Sequence, residues 1–333
     1  MVRGATLILV LGGTIAHAQV VNQWRGGETA ENWTDQYKWK QKHTPTGDEA
    51  AHFREPLSLI TVNSTVQLNN GMHLYGEELS LQGNGNINLW NQVPHQRTVN
   101  IPASATGFAN LTLNDNLSLN GRVALSAKGF GTSASKGSIT LKDRANVTGA
   151  LSVGNAGNGT GQVFVKGSST YRITGLELST KAETGGSAEI HILGGTVLIE
   201  TEENPFKVFL EDPSRKLILG DAGTLRFECN LSVAQKKAAI KAMVLEDRLV
   251  AAPGCRLTTP IIQEKLVMIR AEDERNDSTV KTKQALVAAI DRIAAASSVA
   301  NSGSQPRKLE SLLKTMRTGE PSPTSAPTAA PPT

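Results

Sequence analysis

Two aspartates fall at equivalent positions of an internal repeat. Asp115 and Asp143 each come four residues after the first apolar residue of a strand-like segment. If the two segments stack on adjacent rungs, their backbones lie about 4.8 Å apart. Stacked carboxylates could bind Ca²⁺ or share a proton as an acid/base pair acting on a polysaccharide. The sequence favours turn residues at strand ends instead, because the same positions in the next two repeats are Gly167 and Gly194.

Other residues with catalytic or metal-binding potential lack the spacing that their chemistry needs. Histidines beyond residue 18 stand at positions 43, 52, 73, 95 and 191. None of them belongs to a zinc-ligand motif, and the chain contains no Gly-x-Ser-x-Gly nucleophile elbow. The acidic run of Glu200, Glu202 and Glu203 is typical of a solvated strand edge. The sequence therefore predicts no catalytic residues and no metal centre.

The two cysteines, Cys229 and Cys255, flank a segment with helical spacing. In an exported protein, a disulfide between them would tie this helix to the fold and contribute about 2–4 kcal/mol to stability. Two free thiols fit the sequence nearly as well, since it gives no distance between the sulfur atoms. Two cysteines are too few for a disulfide-rich scaffold or a four-thiolate zinc site.

The elements that would position these residues are short strands. Between Leu57 and Phe227, apolar residues come mostly as pairs separated by one residue, and Gly, Asn, Asp, Ser and Thr fill the intervals. Alternation at period two places each pair on one face of a strand. The pairs are Val66/Leu68, Met72/Leu74, Leu79/Leu81, Ile87/Leu89, Leu111/Leu113, Leu117/Leu119, Val123/Leu125, Ile139/Leu141, Leu151/Val153, Val163/Val165, Leu176/Leu178 and Ile190/Ile192.

These pairs repeat at a nearly constant interval. The segment that begins at Gly137 matches the one that begins at Gly161, and neighbouring pairs recur at similar distances along the chain. A period of about 25 residues in an all-β chain predicts a β-solenoid, in which each coil buries its apolar residues by stacking on its neighbours. We expect a right-handed single-stranded β-helix of roughly seven coils. A β-sandwich is the alternative, but it needs longer strands.

Both ends of a solenoid expose strand edges and need covers. Trp24, Trp33 and Trp39 concentrate before the first coil and predict an aromatic N-terminal cap. At the other end, Ser232 and Gln235 form a capping-box pair that opens a helix running to about residue 247. The buried stripe of this helix would be Ile240, Met243 and Val244, and a last strand should follow over residues 265–269.

Two further helices are expected near the C-terminus. The first spans about 280–299, and the second is opened by a proline at 306. The first would bury Val280, Val287, Ile290 and Ala294, and the second Leu309, Leu312, Leu313 and Met316. Residues 321–333 contain only Pro, Ser, Thr and Ala, which cannot bury a core and predict a disordered tail.

The N-terminus has the features of a secretory signal peptide. Arg3 precedes a short apolar run, and Ala16 and Ala18 offer small residues before a cleavage site at Gln19. No later segment approaches the ~20 apolar residues of a membrane-spanning helix. The chain is therefore expected to be secreted or held at the cell surface. Its 34 basic and 30 acidic residues form no basic clusters interleaved with aromatics, so nucleic-acid binding is not expected.

The boundaries that follow divide the chain into six parts. They are a signal peptide over 1–18, an N-terminal cap over 19–56, a β-solenoid over 57–229, a C-terminal helix and last coil over 230–271, a helical extension over 272–318 and a disordered tail over 319–333.

The residues also resemble a family. Asn32 and Trp33, then Trp39, Pro45 and Gly47, resemble the entry pattern of large exported β-helical proteins of verrucomicrobial or planctomycete type, which are similar to autotransporter passengers. The glycine-led Val-x-Val repeats and the final stretch to 271 are similar to their passenger repeats and last coil. The sequence has neither the translocator barrel of true autotransporters nor the C-terminal sorting signal of related chains. The resemblance implies a cell-surface or matrix protein and carries over no catalytic residue.

Together these features predict a non-catalytic scaffold or adhesion module that presents ladders of Asn, Thr and Ser along one face. The partner would be an envelope or matrix polysaccharide or protein, and the C-terminal helices could mediate self-association. A carbohydrate-active β-helix, either a polysaccharide lyase or a glycosidase, and a polysaccharide-binding module are the alternatives. Apart from Ca²⁺ at the aspartates, no cofactor is expected.

Overall fold

The computed structural model describes residues 20–27, 29–46, 49–89, 98–101, 108–125, 136–154, 159–201, 204–273 and 283–295. Within them the chain is mostly β, and it winds into a β-solenoid of about six turns. The signal peptide, the second C-terminal extension helix and the disordered tail lie outside the described residues and stay predictions.

Each full coil contributes strands to three faces, numbered here in the order in which the solenoid meets them. Face 1 is a nine-stranded parallel sheet. Its strands are β2 (Glu31–Asn32), β4 (Leu57–Thr61), β7 (Glu78–Gln82), β10 (Phe108–Leu113), β13 (Lys136–Leu141), β15 (Thr160–Lys166), β17 (Ser187–Leu193), β19 (Arg215–Gly220) and β21 (Leu249–Ala251).

Faces 2 and 3 join into one 15-stranded sheet because two long strands, β14 (Asn146–Val153) and β16 (Thr170–Leu178), cross the corner between them. Face 2 also contains β5 (Thr65–Leu68), β8 (Asn86–Leu89), β11 (Ser118–Asn120), β18 (Thr196–Glu200) and β20 (Thr224–Glu228). Face 3 also contains β1 (Val20–Trp24), β3 (Glu49–Phe53), β6 (Met72–Leu74), β9 (Thr98–Ile101) and β12 (Arg122–Leu125).

The register confirms the predicted repeat. Leu113 pairs with Leu141, Leu141 with Val165, and Val165 with Ile192, so each inward residue stacks on its counterpart in the next coil. Every predicted apolar pair points inward, and all are buried apart from the partly buried Leu176. The turns are fewer than the seven expected because the coils differ in length, and the coil that joins Leu81 to its partner Leu113 is longer than each of the four coils that follow it directly.

The N-terminal cap is built as predicted. Trp24, Trp33 and Trp39 are each at most 2% exposed, and the Trp39 ring meets the other two edge-on at centroid distances of 4.9 and 5.0 Å. The Trp39 indole N–H also donates to the Trp33 carbonyl. The segment after Trp39 covers the outer edge of β1, where the Lys40 N–H donates to the Gln23 carbonyl at 2.8 Å. The outer edge of β1, which would otherwise be unpaired at this end of face 3, is thus closed by the chain itself.

The C-terminal end is closed by helices and by a strand of reversed direction. Helix α2 (Val233–Leu245) begins at the predicted capping box, and Ile240, Met243 and Val244 are buried as expected. The short α1 (Lys207–Leu210) lies between β18 and β19, where the earlier coils have a strand of face 3. The predicted last strand is the longer β24 (Leu266–Asp273), which pairs antiparallel with β20 and carries β22 (Cys255–Leu257) and β23 (Ile261–Ile262).

Helix α3 (Lys283–Ala295) packs on α2. Ile290 is 1% exposed and Val287 is partly buried, as predicted, whereas Leu286 joins this face without having been predicted. The Lys241 ammonium reaches the Asp291 carboxylate at 2.7 Å and ties the two helices together. In the described residues no helix is both long and apolar enough to cross a membrane.

Candidate functional site

Asp115 and Asp143 lie on adjacent coils at the corner between faces 1 and 2. Both follow a register pair of face 1 by two residues, and both have left-handed backbones with φ of 60° and 59°. The same corner position has positive φ in the flanking coils, at Gly83, Gly167, Gly194 and Asp221. Glycine, aspartate and asparagine tolerate this conformation best. The conformation of the turn therefore accounts for the residue types found there.

Both aspartates make hydrogen bonds to neighbouring coils. The Asp115 Oδ2 atom accepts a hydrogen bond of 3.0 Å from the Gly83 N–H on the preceding coil. The backbone carbonyls of Asp115 and Asp143 accept from the N–H groups of Arg144 and Ser168 on the following coils. The side chains line an open groove of about 640 Å³ together with Arg144. Because Ca²⁺ takes about six to eight oxygen ligands, two aspartates beside an arginine support the turn explanation better than a calcium site.

The cysteines are both free thiols, which corrects the disulfide alternative. Cys229 follows β20, and its N–H donates to the carbonyl of Lys265 at the start of β24. Cys255 pairs with Asp273 at the other end of β24. The length of this strand separates the two ends, a distance on the order of 26 Å. A disulfide needs Cα atoms within about 7 Å, so this sheet keeps the thiols apart.

Face 2 carries the predicted ladder of neutral polar side chains. One outward position is polar without interruption over seven rungs, each paired in register with the next. Its members are Thr65, Asn86, Ser118, Asn146, Thr170, Thr196 and Thr224. All seven are exposed or half-buried. The hydroxyl and amide groups of this row are thus available to solvent along nearly the whole solenoid.

A second row on face 2 runs two residues further along each strand. It begins with Gln67, Asn88, Asn120 and Thr148 and ends with Arg172, Leu198 and Arg226. The Asn120 amide donates to the Asn88 amide oxygen at 2.7 Å. Amide pairs bonded along the ladder hold each other in one orientation, so their remaining donors and acceptors point in fixed directions.

A groove at the far end of face 2 brings two carboxylates together that the sequence analysis did not pair. Glu200 and Glu228 are register partners on β18 and β20, and the Arg172 Nε–H donates to Glu200 Oε2 at 2.7 Å. This hydrogen bond raises the pKa of Arg172. The open groove has a volume of about 480 Å³, and Thr201 and Lys265 also line it. The interval between the two glutamates equals one coil of the repeat, and this was the signal that could have found them.

Comparison with known proteins adds no relative to this picture: no family model, curated protein or solved structure matches the chain. The resemblance to exported passenger proteins therefore stays a prediction. Among the described residues, no cluster of three or more His, Cys, Asp or Glu side chains is arranged to hold a metal ion. The function must be inferred from the faces and grooves themselves.

Proposed function

We propose that this chain is an exported, non-catalytic β-solenoid that serves as a cell-surface or matrix scaffold or adhesion module. Its binding surface is face 2, and its partner is an extended neutral polysaccharide of the envelope or matrix. The observation that carries this proposal is the seven-rung polar row from Thr65 to Thr224.

The chemistry of the row suits a polymer of sugars. Hydroxyl and amide groups both donate and accept hydrogen bonds, as sugar hydroxyls do. Stacked parallel strands repeat these groups at a spacing of about 4.8 Å. A polymer with its own short repeat can therefore make the same contact on several rungs, and weak contacts at each rung add up along the chain.

The rigidity of the solenoid supports the same role. Each inner rung is fixed on both sides by parallel pairing. Because the ladder of amides is already ordered before a partner binds, the entropy cost of binding is lower. The closed ends favour a single rod over indefinite stacking, because the N-terminal cap covers β1 and the C-terminal helices cover the last coils.

Binding of neutral polysaccharides by the purified chain tests the proposal. Replacing Asn88 and Asn120 by Ala removes a bonded amide pair on the second and third rungs of face 2, in the row beside the seven-rung row, and should weaken binding at least fivefold. The matched control is Thr61→Ala with Gln82→Ala, which removes a bonded pair of neighbouring rungs on face 1. Equal loss in both variants, or no binding by the unchanged chain, would contradict the assignment of face 2.

A carbohydrate-active enzyme is the second candidate, and the groove at Glu200 and Glu228 favours it. Two carboxylates one rung apart could act as an acid and a base on a glycosidic bond, with Arg172 and Lys265 holding an acidic sugar. Incubation with acidic polysaccharides, followed by assays for reducing ends and unsaturated products, separates the candidates. Products that disappear in Glu200→Gln and Glu228→Gln would establish the enzyme.

A further inference from the structure

The seven-rung polar row of face 2 ends on two arginines. Strand β24 adds an eighth rung to the sheet, in which Arg270 is the register partner of Thr224. Arg226 lies two residues after Thr224 on β20, and both arginines point outward because the residues next to them, Leu225 and Ile269, are buried. The two arginines are thus diagonal neighbours, with Cβ atoms about 7 Å apart. A polymer that follows the polar row reaches both guanidinium groups.

Neither guanidinium is neutralised within the described part of the chain. Arg226 and Arg270 are exposed, and no carboxylate described there forms an ion pair with either of them. Glu272, two residues after Arg270, is held by Arg256 at 3.1 Å. Glu228 lies beyond Arg226, on the side away from Arg270. Two cations placed side by side at the surface favour an anion that contacts both.

Charge is distributed unevenly along face 2. On its first four rungs, the two outward rows contain only Thr, Gln, Asn and Ser side chains. Charged side chains enter these rows at Arg172 and follow at Arg226 and Arg270. Arg172 is paired with Glu200 at 2.7 Å, which leaves the last two arginines. The face therefore has a long neutral part and a short cationic end.

We infer that Arg226 and Arg270 form a subsite for one anionic group, a carboxylate or a phosphate ester, on the polysaccharide that face 2 binds. This inference rests on the proposed function and adds that the partner, neutral along most of its length, carries acidic substituents. Each guanidinium presents a planar fork of N–H donors that matches the oxygen atoms of such a group. The Thr224 hydroxyl, on the same rung as Arg270, can bond to a neighbouring sugar hydroxyl. The anionic group thereby fixes the position of the polymer along the rod.

A general role in solubility is the competing explanation for two exposed arginines. In that case any two neighbouring surface cations would attract an acidic sugar equally well. Lys142 and Lys166 provide the comparison, because they lie on adjacent coils at the end of face 1. A subsite predicts instead that the acidic sugar depends on Arg226 and Arg270, and that lysine at both positions restores only part of the affinity, since lysine lacks the planar fork.

Titration of the full chain with a galacturonate trimer at low salt, followed by NMR, tests the inference. We expect saturable binding that is at least tenfold weaker in Arg226→Gln with Arg270→Gln and changes less than twofold in Lys142→Gln with Lys166→Gln. The neutral methyl ester of the trimer should bind at least tenfold more weakly than the acid. Maltotriose that carries a 6-phosphate, titrated in parallel, distinguishes a phosphate ester from a carboxylate as the preferred group. Absence of saturable binding by both acidic sugars, or equal losses in the two double variants, would overturn the inference.

The result is independent of the test of face 2 with neutral polymers. Neutral-polymer binding that is lost in Asn88→Ala with Asn120→Ala, together with no binding of the acidic sugars, would refute the subsite and leave the proposed function standing. Acidic-sugar binding that depends on Arg226 and Arg270, without any binding of neutral polymers, would refute the proposed partner and leave the subsite standing.

Discussion

Gly149 lies directly on Gly121 at the corner between faces 2 and 3, so closely that a Cβ atom on Gly149 would overlap the carbonyl oxygen of Gly121. The corner is also where β16 carries one extra residue and bulges against β14. Close backbone approach, and not only flexibility, therefore requires glycine at position 149.

Replacing Gly149 by Ala should lower the free energy of unfolding by about 2–4 kcal/mol, because the backbone must move to admit one methyl group. The next coil offers a matched control. A Cβ on Gly175 would meet only the Ala150 Cβ at 3.4 Å, an ordinary contact. Gly175→Ala should thus change stability by less than about 1 kcal/mol. Urea unfolding of both variants makes the comparison, and equal effects would refute the steric account.

The left-handed backbone at Asp143 predicts which substitutions this corner tolerates without loss of stability. Asp143→Gly should leave stability within about 0.5 kcal/mol, since glycine adopts the observed φ of 59° freely. Asp143→Val should cost about 1–2 kcal/mol, because a β-branched residue fits this conformation poorly. Thr148→Val on the same coil is the control, at an exposed position of β14 with extended backbone. A large loss of stability in Asp143→Gly would contradict this account, because it would show that the carboxylate itself stabilises the fold.

The periodic part of this fold could be predicted from sequence, while its departures from periodicity could not. Inward residues such as Leu113 and Leu141 were predictable because burial selects apolar types at a fixed interval. Corner residues such as Asp143 were also found, since only a few residue types tolerate left-handed backbone. Both signals are local to one coil and its neighbours.

Contacts that depend on coils of irregular length or direction could not be predicted from the sequence. His52 and His73 are one short coil apart and belong to no apolar pair, so nothing in their spacing marks them as neighbours. The separation of Cys229 and Cys255 depends on the antiparallel register of β24, which reverses the direction of the preceding coils. Such a reversal is decided by tertiary packing at the end of the rod and leaves no period in the sequence.

The tryptophan cap should contribute to both stability and solubility. Trp39→Ala removes a side chain that is 1% exposed and should cost about 3–5 kcal/mol. It should also loosen the segment that covers β1, so that the variant associates at lower concentration. Tyr37→Ala, two residues away and 74% exposed, should do neither. Chemical unfolding and sedimentation velocity measure the two effects, and a soluble, fully stable Trp39→Ala would contradict the capping role.

A hydrogen-bonded carboxylate between coils predicts a loss of stability in acid. Burial alone would raise the pKa of Asp212, but hydrogen bonds from Ser214 and from the Ala182 N–H outweigh it and hold this pKa below its usual range. The lowered pKa means that the carboxylate stabilises the fold above about pH 4 and that this contribution is lost as the pH falls through the folded-state value.

Asp212→Asn should therefore be less stable than the unchanged chain at pH 7 and nearly equal to it near pH 2. Urea unfolding at the two pH values measures the difference. Asp35→Asn is a control for the loss of one aspartate, because Asp35 caps a short turn in the N-terminal cap. A stability gap for Asp212→Asn that grows in acid would have the wrong sign for this account.

The length of a bound polysaccharide, followed over time in the presence of the chain, tests the central claim most directly. Size-exclusion chromatography of the released polymer should show an unchanged length distribution while co-sedimentation shows that the polymer binds through face 2. Shortening of the polymer by the unchanged chain but not by Glu200→Gln would contradict a non-catalytic scaffold and establish the groove at Glu200 and Glu228 as an active site.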